Sequence, residues 1–312
     1  MPMSVTSASP DKNTFEILSR QIRIGESFVE KDWHVVQILA RLAEVNLDGF
    51  EIIFSGGTAL SKAHKLIKRF SEDVDFRVIA QPSAQGRKAL SGFKNNVVES
   101  LRDAGLKIED YQIKARDENR FFSIDLDYNT YFPRKEALRP HIQIEVTMRG
   151  LQLPPVYMPV SSFLNETAKH APEVKRIGCI DPIENAADKL SALAWRIPDR
   201  VRGGQYDDPT IVRHIHDLAM LRDVAAQSNL FSKLVTVSMQ HDDRRSKNNS
   251  AFSGLPIEEK FKQMLSVFDE DDLYRQEYEV FVKSVSYAPD GSVPDFDAAV
   301  DAARALAKIV AS

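Results

Sequence analysis

The run Phe54–Phe76, FSGGTALSKAHKLIKRFSEDVDF, constrains the fold of this chain more than any other stretch. Glu51–Phe54 is short and apolar, as a buried strand is. Ser55-Gly56-Gly57-Thr58 then interrupts it with two residues that lack a Cβ, where backbone can come close to a ligand. Thr58–Arg69 has helical spacing, with Leu60, Ala63, His64 and Ile67 on one stripe and Lys62, Lys65, Lys68 and Arg69 making a basic outer face. A second strand is expected over Asp73–Ile79. Residues two apart in a strand point the same way, so Asp73 and Asp75 share one face while Val74 and Phe76 pack on the other.

Two carboxylates at that spacing suit metal-assisted phosphoryl chemistry. Mg2+ takes oxygen ligands, usually one or two carboxylates completed by substrate phosphates and water. Two such ions roughly 3.5–4 Å apart can stabilise both the attacking and the leaving oxygen of an in-line displacement. A glycine turn that opens a helix adds free N–H groups and the positive end of the helix dipole, both suited to a phosphate. A rival pair stands in Ser123-Ile124-Asp125-Leu126-Asp127, which also puts two aspartates on one strand face. It lacks the glycine turn and the basic helix, so Asp73 and Asp75 are preferred, with Asp127 open as an additional ligand.

GGTALSKAHKLIKRFSEDVDF resembles the first motif of the AbiEii/AbiGii-type nucleotidyltransferase toxins, Gly-Gly-Thr-x-Leu-x-Lys followed by Arg-x-Ser-x-Asp-hydrophobic-Asp. It falls here on Gly56, Gly57, Thr58, Leu60, Lys62, Arg69, Ser71, Asp73 and Asp75. VEKDW at Val29–Trp33 looks like the segment that precedes the family's first strand. HIQIEVTMRG resembles the strand with a third carboxylate, Glu145, followed by Arg149. DPIENAADKLSALAWR looks like the lysine-bearing helix motif and indicates Lys189 and Arg196, and RHIHDL resembles the last acidic motif and indicates Asp217. The likeness spans roughly residues 25–222, and only its first motif is highly specific. It departs from the pattern at His214, where the family often has an Asp. Without the resemblance, His214 and His216 read as solvent-facing or satisfied helix histidines, and Lys189 as a helix-surface lysine.

With 312 residues and 43% hydrophobic content, the chain can build two cores. The expected fold is α+β: a nucleotidyltransferase-like mixed sheet flanked by helices, followed by an α-helical C-terminal domain. The expected division is a flexible tail over 1–12, a catalytic domain over 13–180 and a helical domain over 181–312. Strands are predicted at Leu106–Ala115, Arg120–Tyr128 and His141–Met148, the last with Gln143, Glu145 and Thr147 on one face. Helices are predicted within Asn13–Val45 and over Ala84–Ala104. In the helical part, Asp181-Pro182 and Asp208-Pro209 open helices, and further helices follow at Pro256–Phe268, Asp271–Val285 and Asp295–Val310. His241–Ser250 reads as a polar loop. The single cysteine, Cys179, rules out an intrachain disulfide and any cysteine cluster. No leader and no apolar run near the roughly 18 residues of a spanning helix is seen, so a cytoplasmic location without membrane attachment is expected.

The resemblance implies a bacterial toxin–antitoxin or phage-defence enzyme that transfers a nucleotide from an NTP to an acceptor such as tRNA, with a cognate antitoxin as partner. The metal, Mg2+ or Mn2+, falls to Asp73, Asp75 and Glu145. Ser55, Gly56, Gly57, Thr58, Lys62 and Ser71 are placed at the nucleotide, and Lys189 and Asp217 are added as catalytic groups. The net charge of −4 offers no global attraction for nucleic acid, so RNA must be met by local patches, for which Arg196, Arg200, Arg202 and Arg213 are candidates. Two other functions remain open: transfer to a small-molecule or protein hydroxyl, and a nucleotide-binding module that no longer catalyses.

Overall fold

A computed structural model describes residues 9–45, 47–133, 135, 137–205, 207–245, 250–289 and 291–311. Most of the tail expected over 1–12 lies outside them, and Asp11 already caps the first helix by accepting from the Thr14 N–H at 2.7 Å. The chain forms two compact units. The first comprises the described residues up to Lys65 together with Phe70–Ile180, and the second comprises Leu66–Arg69 and the described residues from Asp181 onward.

In the first unit, helices α1 (Lys12–Ile22) and α2 (Glu26–Ala43) precede strand β1 (Phe50–Ser55). A helical turn, α3 (Gly56–Thr58), passes into a π-helix over Ala59–Ala63. The helix predicted to reach Arg69 therefore stops at Ala63, and Lys65 takes a left-handed conformation with φ 58°. Its basic outer face does not form: Lys62 is buried against Asp32, and Arg69 is buried against Asp217. Strand β2 (Val74–Ala80) and helix α4 (Arg87–Asp103) follow, then β3 (Ile113–Arg116), β4 (Phe121–Leu126) and β5 (Ile142–Met148). Strand β6 (Val156–Val160), helix α5 (Phe163–Ala168) and β7 (Val174–Cys179) complete the unit.

Among the described residues the strands form one mixed sheet in the order β3-β4-β5-β2-β1-β7-β6. Strand β2 runs antiparallel to β1 and parallel to β5. One face is apolar. Phe54, Val74, Phe76, Val78, Phe122, Ile124, Ile144 and Val146 bury it against Val35, Val36 and Leu39 of α2 and Phe93, Val97 and Leu101 of α4. The register therefore puts Ser123, Glu145, Asp75 and Ser55, direct neighbours across β4, β5, β2 and β1, on the other face.

The second unit is helical: α6 (Pro182–Arg196), α7 (Arg213–Ala226), α8 (Phe231–Arg245), α9 (Ser250–Ser253), α10 (Ile257–Glu270), α11 (Leu273–Val285) and α12 (Phe296–Ala311). Asp181 caps α6 by accepting from the Ile183 N–H, with Pro182 at the first position. Helix α6 packs on α7, α8 and α10, and α12 packs on α7, α8 and α10. The segment 66–69 joins this unit through the Tyr287 N–H, which donates to the Lys68 carbonyl at 3.0 Å. Of the polar loop expected over 241–250, residues 241–245 continue α8 and 246–249 lie outside the described residues. No helix among the described residues is long and apolar enough to cross a membrane.

Cys179 lies fully buried on β7, and burial pushes its thiol up to about 12. The native protein should therefore resist iodoacetamide at pH 8.5, where an unfolded thiol of pKa about 8.5 reacts. Mass spectrometry should find one alkylated site after unfolding and none before; rapid native labelling would show that the β7 face opens.

Candidate active site

The site builds outward from Gly56, the first residue after β1, held at φ +73°. A Cβ at this position would lie 1.9 Å from Oδ2 of Asp75. The carboxylate of β2 is thus seated directly against the turn, in space that only glycine leaves open, and the turn and the acid form one feature. Side chains on either side hold it. The Ser55 hydroxyl donates to the Asp75 carbonyl at 3.1 Å, and the Thr58 hydroxyl donates to the Asp73 carbonyl. Both hydroxyls, placed at the nucleotide from sequence, are thus committed to joining the turn to the acidic end of β2. Gly57 is buried within α3, and Ser71 is half-buried just before the aspartates.

Asp75 pairs in register with Glu145 on the parallel strand β5, so their side chains leave the same face side by side. Asp73, two residues earlier, precedes β2 on that face. All three carboxylates are half-buried rather than turned into the core. Asp73 Oδ1 accepts from Arg139 Nη1 at 2.9 Å. The rival pair is engaged elsewhere: Asp125 accepts from Lys114 at 2.8 Å and Gln143 at 3.1 Å, and Asp127, beyond the end of β4, from Gln112 at 3.2 Å. Burial would raise the Asp125 pKa, but Lys114 and Gln143 hold it below the ordinary value. Among the described residues, no three His, Cys, Asp or Glu side chains converge as a ready ion cage.

The VEKDW segment carries the structural support for this face. Glu30 accepts from the Tyr131 N–H at 2.7 Å and from the Thr130 hydroxyl. Lys31, fully buried, donates to Glu72 and to the carbonyls of Arg139 at 2.9 Å and His141 at 3.0 Å. Burial lowers its pKa, with Glu72 opposing. Asp32 pairs with Lys62 at 2.7 Å and accepts from the Phe163 N–H at 2.7 Å, and the Lys62 ammonium lies 3.9 Å from the Phe163 ring centroid. The side chain of Lys62 is therefore spent on Asp32. These roles were missed from sequence; the available signal was three consecutive charges inside the apolar stripe of α2, where at least one had to be buried.

In the second unit, Asp217 of α7 is fully buried. It accepts from Arg69 Nε and Nη2, both at 2.7 Å, pairs with Lys189 of α6 at 2.9 Å and meets His216 Nδ1 at 3.1 Å. Burial alone would raise its pKa; Arg69 and Lys189 reverse this and hold the carboxyl well below the carboxylate range. Lys189, also buried, is lowered by desolvation despite Asp217. The first and last motifs thus meet through Arg69, which sequence reasoning had placed on a helix surface. His214 differs from its solvent-facing or satisfied reading. Its Nδ1 is buried without a hydrogen-bond partner among the described residues, and desolvation, Lys189, Arg213 and Arg196 keep the ring neutral.

The four arginines expected to form an open phosphate surface are paired with acids. Arg196 and Arg213 bind Asp208 at 2.8 and 3.1 Å, Arg200 binds Asp207 and Glu277, and Arg202 binds Asp271 and Glu277.

Comparison with known proteins identifies the family. The family model described as "Nucleotidyl transferase AbiEii toxin, Type IV TA system" matches residues 37–302. No curated protein sequence matches the chain. Among solved structures, the chain is similar to MenT4, nucleotidyltransferase toxin Rv2826c from Mycobacterium tuberculosis H37Rv, at 15% identity and a TM-score of 0.48, over 94% of this chain and 98% of that one. The family match extends over most of the sequence, and the chain belongs to the AbiEii nucleotidyl transferase toxin family of type IV toxin–antitoxin systems. Membership makes it a nucleotidyltransferase and implies an NTP co-substrate and a cognate antitoxin.

Two measurements check the packing described above. Gly56→Ala should lower stability in urea by more than about 2 kcal/mol, through the collision with Asp75 and the left-handed backbone together. Gly203→Ala, at φ +71° with nothing near its added Cβ, should cost only about 1 kcal/mol. Equal losses would deny the Gly56–Asp75 contact. Asp208 is held at about 2, since Arg213 and the other donors outweigh the burial that would raise it. Depressed below an unfolded value near 4, it stabilises fully above that pH and loses its effect as pH falls through about 2. Asp208→Asn should therefore cost about 2 kcal/mol at pH 7 and flatten the dependence of urea stability on pH between about 4 and 2.

Proposed function

We propose that this AbiEii-family nucleotidyltransferase uses a divalent cation, Mg2+ or Mn2+, to transfer a nucleotide from an NTP to a hydroxyl acceptor on RNA, with tRNA the first candidate. It would do so in the cytoplasm, as the toxin of a toxin–antitoxin or phage-defence pair. The observation that carries this reading is the seating of Asp75 against the Gly56 turn with Glu145 beside it in register.

The residues fit a metal on their own chemistry. Asp73, Asp75 and Glu145 are hard oxygen donors on one sheet face, and Mg2+ needs only one or two carboxylates when phosphates and water complete its shell. The missing three-residue cage is consistent with that need. When bound there, the ion would supply Lewis-acid stabilisation to the phosphoryl oxygens. The chain does the rest. Gly56 and Gly57 allow a triphosphate to approach the backbone, with Ser71 nearby in sequence, while Ser55, Thr58 and the Lys62–Asp32 pair keep the turn rigid. Glu145 serves as a third carboxylate or takes the proton of the attacking hydroxyl. Asp217, held ionised by Arg69, orients the Lys189 ammonium, whose charge offsets that of the departing pyrophosphate.

A small-molecule or protein hydroxyl acceptor is the second reading, favoured by the pairing of Arg196, Arg200, Arg202 and Arg213 with acids, which removes the open basic surface a polynucleotide would use.

Incubation of the protein with each α-labelled NTP, Mg2+ and total tRNA should label the RNA; label confined to protein or small molecules selects the second reading. Asp73→Ala and Asp75→Asn should each reduce transfer more than about a hundredfold, beyond the loss typical of groups one step removed from a metal. Asp125→Ala should leave transfer within a few-fold of wild type. Full activity of Asp73→Ala with loss in Asp125→Ala would move the metal to the rival pair.

A further inference from the structure

On strands β4 and β3, beyond the carboxylates, the same sheet face carries an aromatic ring with a cation resting on it. Thr147 of β5 is the direct neighbour of Phe121 of β4, and Phe121 is the direct neighbour of Arg116 of β3. Thr147 stands two residues from Glu145, so it, Phe121 and Arg116 all lie on the carboxylate face. Phe122, the next residue of β4, belongs to the opposite, apolar face. Arg116 Cζ lies 3.9 Å over the centroid of the Phe121 ring. Phe121 is half-buried, while Arg116 is exposed and pairs with no acid among the described residues, although Asp117 and Glu118 follow it directly. The turn beyond is left-handed at Asp117, Glu118 and Asn119, with φ of 50°, 54° and 67°, and the Asn119 side-chain amide ties it to α4 by donating to Ser91 Oγ at 3.0 Å. Arg116 thus differs from Arg196, Arg200, Arg202 and Arg213, each of which is held by an acid.

We propose that Arg116, supported by Phe121, is the platform on which a nucleobase of the acceptor RNA stacks, beside the attacking hydroxyl. The inference rests on the reading above, with the triphosphate at the Gly56-Gly57 turn and the ion at Asp73, Asp75 and Glu145. In an in-line displacement the attacking oxygen enters opposite the departing pyrophosphate. The glycine turn follows β1, so the pyrophosphate leaves toward β1. The hydroxyl then comes from the other side of β2 and β5, which in this sheet is the side of β4 and β3. There Phe121 is a diagonal neighbour of Glu145, about 7–8 Å away, a gap that one nucleotide spans. Guanidinium planes stack on bases as aromatic rings do, and their charge favours a polyanion. The ring beneath holds the guanidinium in place, so a base meets a surface that is already ordered.

The test measures transfer from an α-labelled NTP to total tRNA by the full chain with Mg2+, varying tRNA and NTP in turn. Arg116→Ala, Arg116→Lys and Phe121→Leu should each raise KM for tRNA about tenfold, the scale of one lost base stack, with kcat and KM for the NTP within about twofold of wild type. Phe121→Tyr, which keeps the ring, should stay within about twofold in all three. A pair that only supported the sheet edge would not separate Lys from Arg or Leu from Tyr. Arg116 is exposed on an edge strand, so its variants also guard against misfolding of Phe121→Leu. Unchanged KM for tRNA in Arg116→Ala and Phe121→Leu, with transfer retained, overturns the platform and leaves the proposed transfer to RNA standing. A rise in KM for the NTP alone assigns the stack to the incoming nucleotide and overturns its place at the acceptor. Full function of Arg116→Lys reduces the contact to charge and overturns stacking. Wild type that puts no label into RNA overturns both readings.

Discussion

A fully buried ammonium, that of Lys31, is the constraint on which the acidic face depends. A charge taken out of water is tolerated only when partners replace its hydration, and Lys31 obtains them from Glu72 and two main-chain carbonyls. Glu72 directly precedes Asp73, and the carbonyls of Arg139 and His141 lie just before β5. Satisfying one lysine therefore fixes the entries to the two parallel strands that carry Asp73, Asp75 and Glu145. Glu30 and Asp32, on either side of it, fix the 130–131 segment and Lys62 in the same manner. Leaving any of these charges without its partner would cost about 3–5 kcal/mol. This explains why three acidic and basic side chains persist within an otherwise apolar stripe.

Much of the first unit was legible because its signals are local. Alternation in HIQIEVTM placed Glu145 on one face with Gln143 and Thr147, and the observed register pairs it with Asp75. The α4 stripe and the Asp-Pro cap of α6 are visible for the same reason. Other features depended on partners distant in sequence. The helix expected to reach Arg69 is cut short because Lys62 and Arg69 each find a buried acid, at Asp32 and Asp217, and periodicity assigns such residues to solvent. Strands β6 and β7 went unread since VYMPV contains a proline and VKRIGC alternates poorly. Helix α8 ends in the charged run HDDRR, which composition alone presents as loop.

The second unit uses charge differently. Around Asp217 one fully buried carboxylate receives Arg69, Lys189 and His216 together. Desolvation makes that arrangement expensive, and the bidentate Arg69 contact offsets the cost through two aligned hydrogen bonds. The result is a lysine held in one orientation by an acid that cannot readily protonate. His214 stands near these cations as an uncharged ring, its protonation opposed by desolvation first and then by Lys189, Arg213 and Arg196.

The two margins of the sheet have a bearing on solubility. Strand β3 is only four residues long, with Lys114 and Arg116 exposed, and β6 carries Pro159 where its register with β7 shifts. A proline lacks the amide a visiting strand would bind, and a shifted register breaks the flat row of donors and acceptors that templates such pairing. Each border is thereby poorly suited to sheet extension, whether by a second copy or by fibril growth. A chain that accumulates in a cell can then carry a wide open sheet with little hazard of edge-to-edge aggregation.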